Sequence, residues 1–191
     1  MKSLLFWCAI WIAACGHARP AVPSPVTPPV TVDSFPDNYV GTWTGELEIF
    51  APGKGRVQAL PMELDVQPLT DSSYTYTIIY GEDREAGTRA YELVVRDAAK
   101  GLYYIDERNT IGMEAYLVGD VFVQRFEVMN NLLETATRLR ADGTLLWEIR
   151  SGKLDPVSTS GGKDFRGEDI PPVNAYPVAN YQRAVLRRTA E

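Results

Sequence analysis

The chain has 191 residues, 45% of them hydrophobic, and a formal net charge of −6. That length suits one ordinary domain with short terminal segments, and that acidity repels phosphate backbones, which excludes nucleic acid as an electrostatic partner. Both cysteines, Cys8 and Cys15, and the single histidine, His17, lie close to the N-terminus, so the body of the chain has no disulfide, no thiolate nucleophile and no Ser-His or Cys-His pair.

Residues 1–14 open with Lys2 and continue through an apolar run from Leu4 to Ile12. A helix needs about 20 apolar residues to cross a bilayer, so this run is too short to span; its proportions are those of an export signal. Ile12-Ala13-Ala14-Cys15 resembles the bacterial lipobox, an aliphatic residue and two small ones before a cysteine. The resemblance implies a lipoprotein whose signal peptide is removed and whose Cys15 carries the membrane-anchoring lipid. An ordinary cleaved signal or an uncleaved anchor is the alternative. Cys8 fits less well, because bulky Trp7 precedes it. Gly16 stands where an aspartate would imply inner-membrane retention, so the resemblance places the protein at the outer membrane of the cell envelope.

Residues 15–38 carry Pro20, Pro23, Pro25, Pro28, Pro29 and Pro36 among Val, Thr and Ser. Such a segment buries no core; it is expected to form an extended, polyproline-like tether rising about 3.1 Å per residue. A proline-rich ligand for another domain is the other reading.

Residues 39–191 form the folded domain. Trp43, Leu47 and Ile49 alternate with Thr42, Thr44, Glu46 and Glu48, and Leu60, Met62, Leu64 and Val66 alternate with Pro61, Glu63, Asp65 and Gln67. Tyr74, Tyr76, Ile78 and Tyr80, then Tyr91, Leu93 and Val95, repeat the pattern. Period two marks half-buried strands. Turn residues separate them at Ala51–Gly55, Thr70–Ser73, Gly81–Gly87 and Ala98–Gly101. Further strands are predicted at Leu102–Asp106, Met113–Val118, Val121–Val128, Leu133–Arg140 and Thr144–Ser151, with Ala141-Asp142-Gly143-Thr144 as a hairpin turn. Gly152–Ala179, rich in Gly, Pro and Ser, reads as a long loop, and Asn180–Arg188 as a last strand. The fold class expected is all-β: an antiparallel up-and-down meander barrel of about 8–10 strands, whose closure removes exposed edges. A β-sandwich is the alternative.

Gly41-Thr42-Trp43, opening the first strand, is similar to the Gly-x-Trp motif of the calycins, the lipocalin-like barrels. The resemblance implies that Trp43 plugs one barrel end and that an arginine from a late strand packs over it; Arg150, Arg183 and Arg187 are the candidates. Lipocalin disulfides are absent, and the Gly152–Ala179 segment is longer than the resemblance expects.

Catalytic motifs are thin. Asp106 and Glu107 are adjacent, so a strand would point them to opposite faces. Ser160-Gly161-Gly162-Lys163-Asp164 lacks the Ser or Thr and the first Gly of a phosphate-binding loop. No enzymatic activity, cofactor or metal is therefore expected. Aromatic residues are dense on the strands, and Tyr76, Tyr91, Phe122, Gln124 and Trp147 share the inward parity. Two readings follow: a lipocalin-like wall for a small, mostly apolar ligand, or plain packing in a filled barrel that acts on another envelope protein through its surface. A cavity above about 300 Å³ favours the first.

Overall fold

The computed structural model describes residues 35–189; the expected export signal, Cys15 and residues 16–34 of the expected tether lie outside the described residues. The strands are β1 (Gly41–Ala51), β2 (Gly55–Val66), β3 (Pro68–Thr70), β4 (Ser73–Tyr80), β5 (Thr88–Asp97), β6 (Leu102–Asp106), β7 (Gly112–Val118) and β8 (Val121–Val128). They continue as β9 (Asn131–Leu139), β10 (Leu145–Lys153), β11 (Ser158–Ser160), β12 (Lys163–Phe165), β13 (Glu168–Ile170), β14 (Val173–Ala175) and β15 (Asn180–Arg188). One helical turn, α1 (Arg84–Gly87), joins β4 to β5.

Ten of these strands form a closed antiparallel meander barrel. Each pairs with its neighbours in sequence, β4 following β2 across the short β3, and β15 returns to pair with β1. Closure leaves the ten barrel strands without an open sheet edge for another strand to pair with. The predicted meander and its strand order are therefore correct, and the sandwich alternative is not adopted.

The arrangement gives the barrel two unlike ends. At one, β1 begins and β15 finishes, and the chain arrives there from the tether. Phe35, four residues before the expected domain start at Tyr39, belongs to the packed core. Phe35 and Tyr39 are buried, and Phe35 makes edge contacts with Tyr39 and Tyr103 at 4.8 and 4.9 Å between ring centroids and a tilted contact with Phe122 at 4.9 Å. Barrel width grows with strand number, and eight strands already leave just enough room for side chains. Ten leave more, and this inserted segment together with large inward aromatics takes up the space. We call this the closed end.

Trp43 is buried beside that plug, and its Nε1 donates to the Tyr39 carbonyl at 2.8 Å. The arginine over its ring is Arg188, with the guanidinium carbon 4.3 Å from the ring centroid. This corrects the expectation of Arg150, Arg183 or Arg187. Arg188 stands opposite Trp43 in the β1–β15 register and so shares its inward parity, whereas Arg183 and Arg187 have the outward one. Arg183 pairs with Glu48 at 3.0 Å and lies over Phe50; Arg150 lies over Tyr181 beside Glu148, both on the outer wall. Arg188 also donates to the carbonyls of Val40 and Asn38, tying the last strand to the incoming chain. Gly41, at φ 126°, adopts a backbone region that favours glycine, and a Cβ there would stand 3.0 Å from the Arg188 guanidinium. The Gly-x-Trp spacing thus makes room for the arginine on the tryptophan.

The other end gathers the β1–β2, β4–β5, β6–β7 and β8–β9 turns and everything between β10 and β15. The Gly152–Ala179 segment corrects the loop expectation: β11 pairs with β14 and β12 with β13, forming an outward two-stranded arm. Its tip, Arg166-Gly167, has φ 57° and 82° at its two central residues, the signature of a type I′ hairpin turn. Arm residues are exposed on both faces, so no apolar alternation marks them. This is the free end.

Candidate functional site

Along the interior, composition changes from the closed end to the free end. The closed half is tightly filled by Trp43, Leu64, Leu93, Tyr103, Phe122 and Leu186. Its tyrosine hydroxyls find internal partners: the Tyr39 hydroxyl donates to the Thr137 carbonyl at 3.1 Å, and the Tyr74 hydroxyl donates to Asp37 at 2.6 Å. Buried tyrosines need such partners, and here the barrel supplies them.

Toward the free end lies a recess of about 90 Å³, walled by Tyr76, Ile78, Tyr80, Tyr91, Met113, Phe126, Trp147 and Ile149, with Glu107, Gln124 and Thr135 among them. Four of the five predicted wall residues, Tyr76, Tyr91, Gln124 and Trp147, come together here. Phe122 does not line it; it is buried deeper, packed on Phe35, Tyr76 and Tyr103. Tyr80, Glu107, Met113 and Phe126 extend the wall beyond the predicted set. Tyr80 shares the parity of Tyr76, so the alternation already carried that signal. Glu107 follows the last residue of β6, outside the strand alternation, and only the tertiary structure brings it to the recess. Tyr104 and Tyr116, by contrast, are on the outward parity of β6 and β7.

The strands place these groups by register. Tyr76 stands opposite Tyr91 on β4–β5, and Gln124 lies between Ala115 and Thr135 on β7–β8–β9. Trp147 and Tyr80 approach at 6.1 Å between ring centroids with their planes at 63°, forming a corner. Burial pushes the Tyr76 hydroxyl up to about 12, partly offset by its hydrogen bond to Thr137, and raises Tyr80 and Tyr91 as well. After burial, the nearby Glu107 carboxylate is the next cause for Tyr91. All three phenols are therefore neutral at physiological pH and act as hydrogen-bonding edges, not as nucleophiles.

Gln124 is only 7% exposed and lines the recess; the buried side-chain atom that lacks a partner among the described residues is Asn38 Oδ1, not an atom of this amide. Its polar atoms face the recess, where water or a ligand can satisfy them. Gln124→Leu should leave the urea-unfolding free energy unchanged or raise it by up to about 1 kcal/mol. A loss above about 1 kcal/mol would mean that the amide holds a structural partner.

No protein-family model matches the chain, and no curated protein is detectably similar to it in sequence.

Proposed function

We propose that this chain is a lipid-anchored lipoprotein of the bacterial cell envelope whose filled barrel acts through its free end on another envelope protein. The observation that carries the reading is the opposition of the two ends. The chain comes from its tether into the closed end, where Phe35 is buried. The arm, four turns and the recess are all at the other end. Anchored through Cys15, the barrel would present that end away from the membrane. Exposed apolar side chains concentrate there too, including Ile111, Met129, Phe165, Tyr176 and Val178, and such side chains are the usual currency of protein contacts.

The volume of the recess favours this reading over a carrier of lipophilic ligands. About 90 Å³ falls well under the roughly 300–1,000 Å³ of sites that enclose drug-sized molecules. A distant kinship with the calycins is supported by Gly41, Trp43 and Arg188 acting as a unit, although lipocalin barrels close with eight strands and this one with ten.

Two measurements on protein purified from its own membrane test the proposal. A naphthalene sulfonate dye should show no saturable binding, and native mass spectrometry should show no co-purifying lipophilic molecule. Saturable uptake of either would overturn the filled-barrel reading in favour of a ligand carrier.

A further inference from the structure

The recess at the free end has a chemistry of its own. Its walls are ring faces and edges from Tyr80, Tyr91, Phe126 and Trp147, and its rim carries one carboxylate, Glu107. Ring faces are negative and attract cations, the more so where water is thin.

Glu107 is held in place by its own turn. Its backbone N–H donates to the Ile111 carbonyl at 2.9 Å, and the Asn109 amide donates to its carboxylate at 3.2 Å. Among the described residues no lysine or arginine forms an ion pair with it. Arg108 pairs with Glu92 at 2.7 Å; Arg89 donates to the carbonyls of Ala86 and Thr88, both at 2.9 Å, and its charge also reaches Tyr80 and Tyr91. Deeper in, Gln124, 7% exposed, adds the one amide of the lining.

Together these features describe half of a complex. The ring faces and the carboxylate select positive charge. The apolar lining cannot replace the hydration shell of an inorganic ion, so the cation must bring its own apolar surface. A volume of about 90 Å³, about three waters' worth, limits it to a small head group. The Gln124 amide offers an oxygen that can accept an N–H. We propose that the recess binds an alkylammonium group, with Tyr80, Tyr91 and Trp147 as its walls, Glu107 as its counter-ion and Gln124 as the acceptor of its N–H. A free small amine and a lysine side chain of a partner share this chemistry.

Calorimetric titration of the full chain in detergent micelles tests it, with n-butylammonium as the probe and n-butanol as its neutral match. The amine should bind saturably and at least about tenfold more tightly than the alcohol. Glu107→Gln should remove about that tenfold preference while leaving the thermal midpoint unchanged, because Glu107 sits on the rim. Tyr80→Leu, a second variant, should weaken the amine and not the alcohol. A blocked lysine amide that binds like butylammonium would point to a protein side chain as the source; a blocked lysine that is excluded would point to a free amine. Either source supports the site. Absence of saturable amine binding, equal binding of amine and alcohol, or an unchanged preference in Glu107→Gln would each overturn it. None of these results touches the surface-acting reading, which is judged by dye and lipophile uptake.

Discussion

Trp43→Ala should cost about 3–5 kcal/mol of folding free energy, the range for removing a large buried aromatic. The indole is 1% exposed and does three things at once at the closed end. Its ring fills space between the first strand and the plug. Its N–H satisfies the Tyr39 carbonyl, 2.8 Å away. Its face receives the Arg188 guanidinium at 4.3 Å, and that arginine in turn holds the carbonyls of Asn38 and Val40. Alanine leaves a cavity, frees the carbonyl and strands the arginine over it. A domain of this size has only about 5–15 kcal/mol in total, so the variant should unfold at a much lower urea midpoint. Arg183→Ala provides the control: its ion pair with Glu48 is on the exposed outer wall, and such pairs contribute under about 1 kcal/mol. If Trp43→Ala also costs under about 1 kcal/mol, the plug at the closed end is not structural.

Cys15→Ser should abolish membrane anchoring. The lipobox reading requires a cysteine sulfur to form the thioether with diacylglycerol, and a serine hydroxyl cannot replace it. Palmitate labelling should vanish, and the uncleaved precursor should accumulate, because processing follows lipidation in this class of protein. The effect is all or none, since one acyl chain binds a bilayer only marginally and stable anchoring needs several. Folding of the barrel should be unaffected, as the described core is built from residues between Phe35 and Leu186. Normal cleavage and membrane attachment of the variant would remove the lipoprotein reading altogether, and with it the argument that the free end faces away from a membrane.

The two results bear on one another. The closed end is built where the described chain begins, so under the proposed anchoring through Cys15 the plug would lie on the membrane side. The proposed contact surface is then the opposite end, where Val157 and Phe165 of the arm are 67% and 60% exposed.

Sequence alone carried the barrel, because its signals are local. Alternation in β4 places Tyr74, Tyr76, Ile78 and Tyr80 on one face whatever their partners are, and the hairpin residues between strands force each to fold back beside the last. A chain of such hairpins has little choice but a meander. The inward set Tyr76, Tyr91, Phe122, Gln124 and Trp147 followed from the same parity. Three matters needed the tertiary structure. The arm was invisible because Ser158–Ser160 and Lys163–Phe165 face solvent on both sides, so burial imprints no period on them. The arginine over Trp43 depended on the register of β1 against β15, strands separated by most of the chain; closure sets Arg188 opposite Trp43 and leaves the candidates Arg183 and Arg187 on the outward parity. The height of each inward residue was likewise undetermined. Period two tells in from out and says nothing of position along the barrel axis. Closure alone decided that Phe122 belongs to the packed half while Gln124, two residues on, meets Tyr91 and Trp147 at the recess under Glu107.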